Sequence, residues 1–144
     1  MEFITIEKFR EQPKAIQEVF LDWWECDYGD LYYYNEDLLE YKDVEIIDNN
    51  LECDLNGDFK YFKSIGPIPL FTEGQLRKFI EEKTEGILVA SCNVIGSRLI
   101  SIVKKDEILG GVKTIRRTHF GEGIDLLEAY WRLACRIAKE EVDG

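Results

Sequence analysis

Two arginines and a histidine lie just upstream of two glycines near the C-terminal end of the chain. Arg116, Arg117 and His119 precede Gly121 and Gly123, and a predicted helix follows them. Free amides at the start of a helix bind anions, and guanidinium groups bind phosphate oxygens in pairs. These five residues are therefore a candidate site for a nucleotide or another small anion. The alternative is a loop that closes onto the helix, with the arginines on an open sheet face.

A nucleophile activated by a base is the second chemistry that the residue types allow. His119 is the only histidine, and Cys92 or Cys135 would have to lie beside it to act as the nucleophile. The sequence has no phosphate-binding loop, no nucleophile elbow and no zinc-protease motif. We therefore expect no enzymatic activity, no catalytic residue and no cofactor.

Metal ligands are sparse. The four cysteines form no C-x-x-C pair, and a single histidine does not complete a structural zinc site. Residues 54–58 resemble the start of a calcium loop, but the glycine comes fourth rather than sixth. A hairpin turn at Asn56-Gly57 explains this segment better, so we expect no metal site.

The negative charge is concentrated in the first half of the chain. The formal net charge is −11, and residues 1–63 hold 17 acids and 6 bases, whereas residues 64–144 hold 12 of each. This stretch is either a solvated face that keeps the protein soluble or a docking surface for a basic partner. The candidate docking residues are Asp27, Asp30, Tyr33, Glu36, Asp37, Glu40, Asp43, Glu45 and Asp48.

The composition also excludes some partners. An acidic surface repels nucleic-acid phosphates, so direct nucleic-acid binding is not expected. No apolar run approaches the roughly 18 residues of a membrane span, and the charged N-terminus has no signal-peptide core. We expect a cytoplasmic protein that binds a protein with a basic surface, with a homodimer as a further option.

The N-terminal residues predict two helices. A short helix starts at Thr5, and a second helix starts at Pro13 and ends near Trp24. Phe20 and Trp23 lie on the apolar stripe of the second helix and are predicted core residues.

An acidic antiparallel meander is predicted over residues 29–63. Apolar and charged side chains alternate there, Asn56-Gly57 favours a tight turn, and residues 58–62 read as the last strand. At least one of the three tyrosines at 32–34 is expected to face outward, because side chains alternate along a strand.

The second half predicts a helix, three strands and a final helix. After a proline-containing linker at 67–69, Thr72 and Gln75 form a capping box, and Gly86 ends the helix that they start. The predicted strands are residues 87–95, 98–104 and 112–120, with a two-residue turn at Gly96-Ser97. The final helix spans residues 124–141, and Trp131 lies in the middle of its apolar stripe.

Short turns between strands, with helices over one face, predict the α+β class. We expect an antiparallel sheet covered by helices, with the acidic meander following an N-terminal helical hairpin. A chain of 144 residues suits a single domain, built from residues 1–66 and an α-β-β-β-α segment at 67–144.

Four stretches resemble small proteins from phages and prophages of Gram-positive bacteria. They are IEKFREQPKAIQEVFLDWW, GDLYYY, PLFTEGQLRKFIEEKTEG and GIDLLEAYWRLACRIAKEE, about half of the chain. The C-terminal half is also loosely similar to phage α-β-α sandwich domains. The resemblance brings no catalytic residues with it; it implies an accessory phage protein that acts in the host cytoplasm.

Three hypotheses about function follow. The first is a non-enzymatic phage protein that binds and blocks a host nucleic-acid-binding or defence protein through its acidic surface. The second is a protein that sequesters a nucleotide or small anion at Arg116, Arg117, His119 and the following glycines. The third is a structural or assembly protein of the phage particle.

Overall fold

Two antiparallel sheets of three strands each, together with five helices, make up the part of the chain described by the computed structural model, residues 2–34, 44–48, 59–92 and 96–144. The predicted α+β class is confirmed. The chain divides into two compact units. We call residues 4–71 the acidic unit, and residues 72–144 with residues 1–3 the C-terminal unit. The single-domain organisation stays a prediction.

The acidic unit begins with the two predicted helices, α1 (Ile6–Arg10) and α2 (Lys14–Trp23). Phe20 is fully buried, and its ring lies 5.6 Å from that of Phe71. The core prediction is wrong for Trp23, which is only half-buried. Trp24 is buried instead, because the backbone turns extended at this residue (ψ 113°) and leaves the helical stripe.

A small sheet follows, with strand β1 (Leu31–Tyr33) between β2 (Glu45–Ile46) and β3, which consists of Ile68–Pro69. The order β2-β1-β3 is not that of a simple meander. The linker predicted at 67–69 is wrong, because Ile68 and Pro69 pair with β1. Pro69 is tolerated there since β3 is an edge strand.

Helix α3 (Lys60–Ser64) replaces the last predicted strand. Phe59 and Phe62 are both buried whereas Tyr61 is exposed, and this spacing of three suits a helix. In the strand that we predicted, Phe59 and Tyr61 would share one face. The rest of the predicted meander, residues 35–43 and 49–58 with the Asn56-Gly57 turn, lies outside the described residues.

The C-terminal unit starts with helix α4 (Glu73–Thr84) and the predicted capping box, formed by Thr72 and Gln75. The helix ends differently from the prediction. Glu85, not Gly86, adopts the left-handed conformation (φ 56°). Gly86 is needed for space, because a Cβ there would lie 2.5 Å from Cγ2 of Ile102.

Three strands follow, β4 (Ile87–Cys92), β5 (Arg98–Lys105) and β6 (Val112–Phe120), with β5 in the centre. The register pairs Cys92 with Arg98. The two-residue turn predicted at Gly96-Ser97 is therefore wrong, since it would pair residue 95 with Arg98. Residues 93–95 lie outside the described residues.

Helix α5 (Leu126–Asp143) completes this unit. Its predicted stripe is confirmed: Leu127, Trp131, Ala134 and Ile137 are buried. The guanidinium of Arg136 lies over the ring of Phe120 on β6, 5.5 Å from its centre. Leu88, Ile100 and Ile102 are buried on the strands, so α4 and α5 close one face of the sheet and leave the other face open.

We expect Trp131→Ala to lower the stability of the C-terminal unit by about 3–5 kcal/mol, because a large cavity opens in the core. Only 3% of Trp131 is exposed. Thermal denaturation should show a fall of about 10 °C, whereas Tyr61→Ala, at an exposed aromatic, should melt close to wild type. If Trp131→Ala kept its melting temperature and lost a binding partner, α5 would be the functional face.

Two glycines of the C-terminal unit make a matched pair. Gly86→Ala should destabilise it by about 1–3 kcal/mol, because the new methyl group meets Ile102. Gly74→Ala, in the first turn of α4 with open space around it, should be neutral or stabilise by up to about 1 kcal/mol. Urea denaturation measures both, and equal effects of the two substitutions would contradict the close approach at Gly86.

Candidate functional site

The predicted acidic docking surface is only partly a free surface. The carboxylate of Asp30 accepts hydrogen bonds from the indole N–H of Trp24 (2.9 Å) and from the amide of Asp27 (3.1 Å). Asp27 in turn accepts from the amide of Tyr28. Asp30 therefore holds the turn between α2 and β1 and satisfies a buried tryptophan. Its first role is structural, whereas Asp27 is exposed.

Tyr33 does not belong to this surface, and its assignment as an exposed docking residue is wrong. Its side chain is buried, and the guanidinium of Arg10 lies 5.1 Å from the centre of its ring. Alternation along β1 turns Tyr33 to the core side together with Leu31 and leaves Tyr32 half-buried on the other side. The tyrosine that lies on the side of β1 away from the core is thus Tyr32, not Tyr33 as predicted.

The exposed acids of this region lie on and beside β2. Glu45 and Asp48 are exposed, and Glu45 pairs across the sheet with Tyr32. Burial raises the pKa of the Tyr32 phenol, and the charges of Glu45 and Asp48 raise it further. Val44 and Ile46 are exposed beside these acids. The four other predicted docking residues, Glu36, Asp37, Glu40 and Asp43, lie outside the described residues.

A groove of about 460 Å³ lies within the acidic unit. This volume would suit a small ligand or a protruding side chain of a partner. The ammonium group of Lys63 donates a 2.6 Å hydrogen bond to the carbonyl of Trp24 and so closes the end of α2. The groove is lined by Leu21, Asp22, Lys60, Lys63, Ser64, Gly66, Pro67 and Ile68.

The structure does not gather the candidate anion-binding residues around one point. Arg116 faces α5, where its guanidinium forms an ion pair with Glu140. Arg117 is its neighbour on β6 and therefore points to the opposite face of the sheet, as does the exposed His119. Arg116 and Arg117 cannot both bind a single small anion in this arrangement.

The start of α5 is also occupied by a negative group. The carboxylate of Asp125 accepts a hydrogen bond from the amide of Glu128 at 2.8 Å, as an N-cap does. An anion at this helix start would meet that carboxylate. Gly121 and Gly123 lie in the exposed loop before it, with Gly123 at a positive φ of 78°. The alternative interpretation, a loop that closes onto the helix, accounts for both glycines.

The register also separates the proposed nucleophile and base. Cys92, Arg98 and Phe120 form one cross-strand row, and Ser91, Leu99 and His119 form the next. Adjacent rows face opposite sides of a sheet, so the side chains of Cys92 and His119 point apart. Cys135 lies on α5, across the sheet from His119. Burial raises the pKa of the Cys135 thiol to about 12, which leaves it unreactive.

One surface was missed by the reading of the sequence. The face of the β4-β5-β6 sheet opposite α4 and α5, which we call the outer face, exposes Ile87, Val89 and Val112. The sequence signal that could have revealed this surface is the alternation of side chains along these strands, together with the lack of acidic residues in them. The three strands contain no aspartate or glutamate, in a chain with 29 of them.

Within the described residues, no helix is both long and apolar enough to cross a membrane. In the same part of the chain, no group of three His, Cys, Asp or Glu side chains is placed to hold a metal ion. No protein-family model, no curated protein and no solved structure matches this chain. The surfaces of the molecule itself are therefore the basis for a proposed function.

Alkylation should sort the cysteines by burial. Burial raises the pKa of Cys26 to about 11 and that of Cys135 to about 12, so at pH 8 only about one thiol in a thousand or fewer is ionised at either residue. We expect iodoacetamide to modify the exposed Cys92 at least about tenfold faster than Cys26 and Cys135. Peptide mass spectrometry measures the three rates, and full denaturation should equalise them. Fast alkylation of Cys135 in the folded protein would restore it as a candidate nucleophile.

Proposed function

We propose that this chain is a non-enzymatic binding protein whose acidic unit docks on a basic surface of another protein. The observation that carries the proposal is the separation of charge between the two units. The acidic unit holds 16 acids and 6 bases, a net charge of −10, whereas the C-terminal unit holds 13 acids and 12 bases, a net charge of −1. If the acidic residues served only solubility, they could be spread over both units.

The composition around β2 supports protein contact over simple solvation. Val44 and Ile46 are exposed beside Glu45 and Asp48, and 56% of Ile46 is accessible. Protein interfaces combine an apolar centre with a polar rim, and opposite charges speed the encounter. The groove of the same unit offers space for a side chain of the partner.

The partner class follows from the same chemistry. A protein that binds nucleic acid carries a cationic surface built for phosphates, and carboxylates spread over an acidic unit can occupy it. The phage proteins that this chain resembles imply a bacterial host factor, a nucleic-acid-binding or defence protein, which the bound chain would block. The proposed function involves no reaction, so the effect would be stoichiometric.

A pull-down with a matched pair of variants tests the proposal. The wild-type chain, Glu45→Lys and Glu122→Lys are immobilised in equal amounts and exposed to lysate from a Gram-positive host. Both glutamates are exposed, and the two substitutions change the net charge equally. We expect a basic partner that Glu122→Lys retains and Glu45→Lys loses by roughly tenfold, about 1.4 kcal/mol.

Salt dependence provides the second readout. Binding through exposed charges should weaken strongly between about 50 and 500 mM salt, because the screening length falls below 10 Å. The proposal fails if both variants capture the protein equally, or if its binding does not weaken with salt. It also fails if neither a variant nor nucleic acid, added in solution as a competitor, displaces the captured protein.

A further inference from the structure

The outer face of the β4-β5-β6 sheet carries aliphatic side chains where water normally meets polar ones. Ile87 on β4 is 57% exposed and Val112 on β6 is 70% exposed. Ile87 pairs with Val103 on the central strand, so apolar positions adjoin on β4 and β5, and the row ends at Thr114 on β6. An antiparallel sheet with one solvated face usually alternates apolar and polar residues. Exposed aliphatic side chains that adjoin on the solvated face instead indicate a contact surface.

The β5–β6 hairpin extends this surface. The carboxylate of Asp106 accepts hydrogen bonds from the amides of Ile108 and Leu109, both at 3.0 Å. Gly110 and Gly111 follow with φ near +75° and +71°, which completes the turn. The tip thus has a defined backbone that presents two aliphatic side chains, 91% and 86% exposed.

The charge of the outer face is opposite to that of the rest of the chain. Arg117 and His119 are exposed on it, and Arg117 pairs across the sheet with Ser101. No acid is present in the three strands, so no carboxylate on them offsets the charge of Arg117. An occupant of this face would combine aliphatic side chains with carboxylates.

Nucleic acid is a poor occupant. Single strands bind to sheets by stacking bases on aromatic side chains. The only phenylalanine, tyrosine or tryptophan in the three strands is Phe120, and it is buried toward α5. An aliphatic face offers no such stacking platform.

We propose that the outer face binds the acidic unit of a second copy of this chain, with Arg117 against the carboxylates around β2. The β2 region has the composition that the outer face requires, because Val44 and Ile46 are exposed beside Glu45 and Asp48. The exposed Arg117, on strands that carry no carboxylate, meets a unit of charge −10, so this contact is attractive whereas two acidic units would repel each other.

The contact joins two different surfaces, so it is heterologous. The pair then keeps one unused outer face on one copy and one unused acidic unit on the other, and assembly continues into a ring or a linear chain. This inference goes beyond the proposed function because it adds the outer face as a second binding surface. A basic host protein would compete with the second copy for the same acidic unit.

Two complementary variants test the head-to-tail contact. Arg117→Glu spoils the outer face, and Glu45→Arg spoils the acidic surface. We expect the wild type to show a mass that rises with concentration at about 50 mM salt and falls back at about 500 mM in sedimentation velocity. Each variant alone should remain at 16.8 kDa. An equimolar mixture should associate again, because the intact acidic surface of Arg117→Glu meets the intact outer face of Glu45→Arg.

The controls isolate charge from folding. Arg117→Lys keeps the cation and should associate, and Lys139→Glu, on an exposed part of α5, should associate like wild type. Circular dichroism melts verify that every variant is folded. The proposal is overturned if the wild type stays monomeric at every concentration or if either variant alone still forms a dimer. It is also overturned if the mixed variants do not associate. Binding of a labelled single-stranded oligonucleotide that depends on Arg117 would also overturn it.

Failure here is distinguishable from failure of the proposed function. Arg117→Glu changes no residue of the acidic unit. The variant should therefore still capture the basic host partner even when it no longer associates with itself.

Discussion

The alternation of side chains along a strand is the constraint on which both units depend. On β6 it sends Arg116 to the helix side, where Glu140 neutralises it, and Arg117 to the outer face. On β1 it buries Tyr33 and leaves Tyr32 near Glu45. A shift of one residue in either register would exchange these roles. The surfaces available for binding are thus consequences of how the strands pair.

Charge is handled differently in the two units. In the C-terminal unit, ion pairs such as Lys83 with Glu141 (2.8 Å) tie acids to bases. In the acidic unit the bases are too few for the 16 acids. One of those acids, Asp30, is bound to the indole of Trp24. Its charge therefore belongs to the fold, and removing the acidic residues together would disturb the core as well as the surface.

Features set by neighbouring residues could be predicted from the sequence. The capping box of Thr72 and Gln75 is one, and the stripe of α5 around Trp131 is another, because each depends on spacing within a single helix. Around Phe59 the sequence fits the side-chain periodicity of a strand as well as that of a helix. The spacing of two residues to Tyr61 suits a strand, and the spacing of three residues to Phe62 suits a helix. Burial of Phe62 beside Trp24 and Tyr32 favours the helix.

Features set by distant residues could not be predicted in this way. The need for glycine at 86 arises from Ile102, which lies sixteen positions away on another strand. The sequence did not indicate which carboxylate of the acidic cluster accepts the hydrogen bond from the Trp24 indole. The outer face required the register of three strands, although the lack of acids in them was already visible in the sequence.

The three tryptophans are distributed so that each unit carries its own optical reporter. Trp23 and Trp24 lie in the acidic unit, the first half-buried and the second buried, and Trp131 lies in the core of the C-terminal unit. Indole emission shifts to longer wavelength when water reaches the ring. A chain with phenylalanine at 131 would report only on the acidic unit, and one with phenylalanine at 23 and 24 only on the C-terminal unit. If the unfolding transitions of the two chains coincide, the two units unfold as one cooperative body. If the transitions are separate, each unit folds independently.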